Sequence, residues 1–213
     1  MNKYIPSQRY HDVSWMLSHS KDLESKAKKQ FDTSKVIYCC LELRNAIEML
    51  DFHLLIASVA NSEHQEIAEL AKSFHGNDKA NSRLKALKEK TQLFYKCVCE
   101  ELGLPGKYYD YKKSNDLKFE LSQYIHTYTR VPKEMKFDSS FIKAAFPIIT
   151  KAREFIVNSL IFDGTHFIVQ NIDYTALSIE DKELLQDWRQ DKIDESTLRK
   201  RIIENVNTRK NNS

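Results

Sequence analysis

Arg44, Glu48 and Asp51 follow one another at helical spacing inside the apolar run CCLELRNAIEMLDFHLL, residues 39 to 55. With Arg44 as zero and about 100° per residue, Ile37 and Leu55 fall about 20° away, Cys40 about −40° and Ile47 about −60°. Asp51, about −20° away, and Glu48, about 40° away, lie in the same sector. Buried charges are costly unless they are paired. Arg44 at i, i+4 and i+7 from two carboxylates can satisfy itself as an internal ion pair that fixes helix register. The alternative is a polar cluster of Arg44, Asn45, Glu48 and Asp51 lining a cleft or a dimer interface. His53 faces the opposite side.

A second set lies in FELSQYIHTYTR, where His126 and Arg130 stand four residues apart on one expected helical face, with Tyr124 and Tyr128 beside them. An imidazole and a guanidinium at one phosphate supply a proton acceptor and donor and a cation for developing charge. A satisfied structural histidine is the simpler reading of His126.

A third set is basic. Between Asp78 and Lys118 ten lysines and arginines face six acidic residues, a local excess of +4, and Tyr108, Tyr109 and Tyr111 interleave with Lys107, Lys112 and Lys113. Tyrosine faces can stack on unpaired bases, so this loop is a candidate RNA or partner surface. Its simpler reading is a solvated helix face with a loop packed on its own aromatics. Arg199, Lys200 and Arg201 form a smaller basic cluster of the same two-sided kind.

Several chemistries have no residues to carry them. The seven histidines form no H-E-x-x-H or close carboxylate–histidine set, and Cys39-Cys40 and Cys97-x-Cys99 lack zinc spacing, so no metal is expected. No Gly-rich phosphate loop and no G-x-S-x-G occur, so neither a nucleotide cofactor nor any other cofactor is expected. The four cysteines read as buried thiols. A net charge of +3 does not demand a nucleic-acid partner. No apolar run approaches the roughly 20 residues that cross a bilayer, and MNKYIPSQRYHDVSW carries no signal-type apolar stretch. A cytoplasmic protein with no membrane partner is the expectation.

The elements that must position these residues read as helices. Only four glycines and four prolines occur in 213 residues, which disfavours a turn-rich β fold. Helices are predicted over about Asp12 to Lys29, Ser34 to Val59, Asn61 to Phe74, Asp78 to Leu102 with Gly103 as C-cap, Ser114 to Arg130, and Ser139 or Ser140 to Leu160 with a kink at Pro147. IFDGTHFIVQNIDY reads as a short extended stretch or hairpin. A helical pair then follows, its first helix capped by Ser178 and its second by Asp194. The predicted fold class is all-α: a long-helix bundle over 1–160, an irregular or extended connector over 161–177, and a small C-terminal helical appendage over 178–213 with a frayed tail at RKNNS.

The helix LELRNAIEMLDFHLL, the later helix LSQYIHTYTR and a closing amphipathic helix resemble HEPN and HEPN-like helical bundles over roughly residues 10 to 160. Such bundles are widespread in prokaryotic toxin, CRISPR and phage-defence proteins. Catalytic members carry an Arg followed a few residues later by a His, often with Asn, Asp or His directly after the Arg. Arg44-Asn45 matches the opening, but Met49, Leu50 and Asp51 stand where the histidine would. The resemblance therefore implies a non-catalytic interaction or adaptor module in an antiviral defence or toxin-related system, binding a protein partner or a second copy, with RNA as a further candidate. The alternatives are a divergent metal-independent ribonuclease using Arg44, His126 and Arg130, two copies lining a common cleft, and a purely structural dimerisation protein.

Overall fold

The computed structural model describes residues 13–60, 78–162, 167–168 and 176–211. The protein is an all-α helical bundle. Its described helices are α1 (Val13–Gln30), α2 (Thr33–Ala60), α3 (Asp78–Glu101), α4 (Tyr111–Ile125), α5 (Ser140–Asn158), α6 (Ile179–Arg189) and α7 (Glu195–Asn211). Between α5 and α6, β1 (Ile161–Phe162) pairs antiparallel with β2 (Phe167–Ile168), Ile161 opposite Ile168, the short hairpin expected there. The expected helix over Asn61 to Phe74 lies outside the described residues.

Two compact units make up the chain. Unit 1 takes Met1–Phe52 with Asp110–Ile168, and unit 2 takes His53–Tyr109 with Val169–Ser213. The chain thus divides elsewhere than after residue 160.

In unit 1 the stripe Val13, Met16, Leu17, Leu23 and Ala27 of α1 is buried as its spacing requires. Leu117, Leu121 and Tyr124 of α4 and Ile142, Ala145, Ile149, Ala152 and Ile156 of α5 are buried too, and α4 packs on α5. Asp110 caps α4, its carboxylate accepting from the Lys113 N–H at 2.9 Å, and Ser139 caps α5 by accepting from Ile142 N–H at 3.1 Å. Helix α5 runs through Pro147 without interruption.

In unit 2 the C-terminal pair is not an appendage. α6 and α7 pack on α3 and on each other, around a core of Phe94, Cys97, Leu184, Leu185, Trp188, Leu198 and Ile202. Polar pins reinforce it. The Trp188 indole N–H donates to the Lys90 carbonyl at 2.9 Å, and the Lys90 ammonium donates to the carbonyls of Trp188 and Arg189 at the end of α6. Arg199 of α7 pairs with Glu100, Glu101 and Glu195 at 2.8 to 2.9 Å, and its hydrogen bonds to Glu101, Glu195 and Glu100 raise its already high pKa. The basic cluster at 199–201 is therefore largely spent on packing, since Arg201 also pairs with Asp187. Arg209 and Lys210 continue α7 rather than fray, and Arg209 binds Asp181 and Ser178.

Gly103 ends α3 at φ +62°. Leu104 N–H reaches back to Cys99 O at 2.8 Å, the left-handed stop that glycine tolerates best. Gly106 is needed for space, since a Cβ there would stand 2.9 Å from Cys99 Sγ.

Candidate interaction surface

The polar residues of α2 separate. Val36, Leu43 and Leu50 are fully buried and, seven residues apart in turn, keep within about 40° of one another, so they mark the true centre of the buried arc. Ile37 and Leu55, half-buried, lie about 120° from Leu43, on its flank. Centring the arc on them placed Arg44 inside. It stands about 100° from Leu43 instead, at the solvent edge.

Arg44, with its side chain 30% exposed, donates to Glu48 at 2.9 Å, and Asn45 and Glu48 are exposed. Asp51 is buried at the edge of the arc and takes a different partner. The Lys118 ammonium and the Ser114 hydroxyl, both from α4, donate to its two oxygens. The expected four-residue cluster is thus a surface pair and a separate interhelical clamp. Arg44→Ala should accordingly cost no more than about 0.5 kcal/mol, the worth of an exposed i, i+4 pair. A thermal or urea unfolding curve shifted by much more would place Arg44 in the core after all.

The second set also changes. Helix α4 ends at Ile125, five residues before Arg130. His126 is the C-cap, its N–H donating to Ser122 O at 3.0 Å, and Arg130 lies in a turn closed by its N–H to Thr127 O at 2.9 Å. They do not share a helical face. No hydrogen bond, ion pair or ring contact joins His126 or Arg130 to Arg44 among the described residues.

Instead, the connection from 126 to 139 presents an aromatic surface. Arg130 lies over the Phe141 ring at 4.3 Å, and Tyr124 stacks on Phe141 at 4.8 Å. Arg130 also faces Glu134 at 3.8 Å. Beside this stack stands Tyr128, 87% exposed and edge-on to the exposed His126 ring at 6.4 Å, with Val131 exposed three residues on.

In the third set, the tyrosines turn inward. Tyr109 and Tyr111 are buried, and Tyr108 packs edge-on to Tyr95 at 5.9 Å. Tyr109 N–H donates to the Gln92 side chain at 3.3 Å. Lys107, Lys112 and Lys113 are exposed, with Lys113 over the Phe155 ring at 5.9 Å. The loop is thus packed on its own aromatics and offers no stacking platform at Tyr109 or Tyr111.

Sequence reasoning missed a buried network in unit 1. Arg153 of α5 binds Glu24, the Ser20 hydroxyl at 3.0 Å and the Ser20 carbonyl at 2.9 Å, both residues on α1. Burial pushes the Glu24 carboxyl up, but the hydrogen bonds and charges of Lys28 and Arg153 together carry it below its ordinary value of 4.5. The same network borders Cys39, whose thiol donates to Ser20 O at 3.2 Å and is pushed up to about 11 by burial. All four cysteines are free and buried, and burial also raises Cys40 and Cys97. Cys39, Cys40 and Cys97 are thus protonated packing groups at neutral pH. Arg153 carried one clue in sequence: a lone arginine between Ala152 and Phe155 on the buried face of α5.

Among the described residues no group of three or more His, Cys, Asp and Glu could hold a metal ion, and no helix is long and apolar enough to cross a membrane. Comparison with protein-family models, curated proteins and solved structures finds no match to the chain.

Proposed function

We propose that the protein is a non-catalytic helical interaction module that holds a protein partner or a second copy of itself. The observation that carries this reading is Tyr128, projected into solvent from a connection stiffened by the Arg130–Phe141–Tyr124 stack. Aromatic anchors on rigid supports are the residues that dominate protein interfaces. The place of such a module in a prokaryotic defence or toxin-related system comes from the HEPN resemblance alone. RNA is a further candidate partner, supported by the exposed lysines at 107, 112 and 113.

The test is a complex or dimer isolated from the cells that make the protein, compared with the double variant Tyr128→Ala, Val131→Ser. Both side chains are exposed, so the melting temperature should stay at the parent's. Affinity for the partner should fall about tenfold or more. Parent-like binding by the double variant would refute the assignment of this surface.

A further inference from the structure

Three described residues stop helices in the left-handed region: Phe31 (φ +53°), Gly103 (φ +62°) and Asp191 (φ +58°). Glycine and aspartate suit that role, whereas a phenylalanine Cβ crowds its own carbonyl there. Phe31 nonetheless closes α1 in this way, since Asp32 N–H reaches back to Ala27 O at 3.1 Å. Burial does not explain the choice of residue, because Phe31 is 74% exposed. A strained residue whose large apolar side chain faces solvent points to a use for that side chain.

Its surroundings define the use. The Thr33 hydroxyl donates to Met135 O at 2.9 Å and holds the α1–α2 turn against the segment before α5. Phe137 lies edge-on to Phe31 at 5.6 Å, and Phe146 lies edge-on to Phe137 at 6.0 Å, with Lys28 above Phe146 at 4.9 Å. Lys29, Lys133, Lys136 and Lys143 are exposed on these same segments and form no ion pair among the described residues. The acidic residues nearby are mostly engaged: Asp32 binds Lys35, Glu24 binds Lys28 and Arg153, and Glu134 faces Arg130. Asp138 alone among them has no cation partner among the described residues. The patch is three rings on segments that carry four exposed ammonium groups against one unpaired carboxylate.

Resting on the reading of the protein as a binding module, but using residues other than Tyr128 and Val131, we propose that this patch docks an acidic protein segment. The segment sets one apolar side chain against Phe31 and Phe137 and its carboxylates against Lys29, Lys133, Lys136 and Lys143. Single-stranded nucleic acid fits less well. Successive bases need successive ring faces, and these rings meet edge-on at 89° and 68°.

The probes are labelled synthetic peptides with one Trp flanked by Asp and Glu, the same peptides with Lys and Arg flanks, the same acidic peptides with Ser for Trp, and oligouridine. Fluorescence polarisation should show binding of the acidic Trp peptide alone, weakening as salt rises. Phe31→Gly should cut that affinity about tenfold or more while the melting temperature stays level or rises, because glycine relieves the strained turn. Lys133→Glu with Lys136→Glu should shift preference toward the basic peptide. No binding by the acidic peptide, equal binding to Phe31→Gly, or oligouridine binding that Phe31→Gly removes would each overturn the proposal. Each would leave the Tyr128 test standing, so the two readings fail separately.

Discussion

Phe94→Ala should destabilise unit 2 by about 4 kcal/mol, the loss typical of a fully buried aromatic ring replaced by a methyl group. Phe94 is completely buried at the centre of the cluster that joins α3 to α6 and α7. Removing the ring opens a cavity in the core that also holds Leu184, Leu185, Trp188 and Leu198. The cavity cannot collapse easily, because Lys90 and Arg199 pin the helices around it by hydrogen bonds and ion pairs. Urea unfolding followed by Trp188 fluorescence, in a Trp15→Phe background, measures the change. A loss under about 1 kcal/mol would mean that the C-terminal pair does not rest on α3 as described.

Arg153→Ala should cost about 2 kcal/mol in unit 1, because it takes from the Glu24 carboxylate its less exposed cation and leaves only Lys28, which reaches it from the solvent side. The side chains of Arg153 and Glu24 are 16% and 13% exposed, so water replaces the lost hydrogen bonds poorly. The Ser20 carbonyl and hydroxyl lose a donor as well. Replacing both partners, Arg153→Met with Glu24→Gln, should recover most of the loss, since no charge is then stranded. The effect has a pH signature. Glu24 titrates below its ordinary value of 4.5 in the folded protein, so its contribution is present above that value and is lost as pH falls through the folded pKa. The gap between parent and Arg153→Ala should therefore narrow in acid. A gap that stayed constant to low pH would show that Glu24 is not the partner at stake.

Local signals carried much of the fold. The α1 stripe, the unbroken α2, the Gly103 stop and the Ser139, Ser178 and Asp194 caps all follow from spacing and capping chemistry that act within a few residues. Long-range choices were not legible. Helix α2 is apolar on nearly every side, so periodicity does not say which arc meets the core; of Arg44, Glu48 and Asp51, which it puts in one buried sector, only Asp51 is buried. Asp51 finds Lys118 across 67 residues, and Arg153 finds Ser20 across 133, pairings that no local pattern encodes. The end of α4 is not legible either: Pro132 is the nearest strong breaker, and the residues from His126 on are no weaker helix formers than Ser122, Tyr124 and Ile125 within the helix. Seven residues of α3 and the C-terminal pair share one core, yet they are separated by about half the chain, and so the pair read as an appendage.

Whether the bundle binds rather than cuts, as proposed above, is decided by incubating the purified protein with single-stranded RNA in EDTA. The RNA should stay whole, because Arg44 is engaged by Glu48 and, among the described residues, no hydrogen bond or ion pair joins it to His126, which caps α4. Cleavage under those conditions that His126→Ala and Arg44→Ala each abolish, with both variants folded, would contradict it.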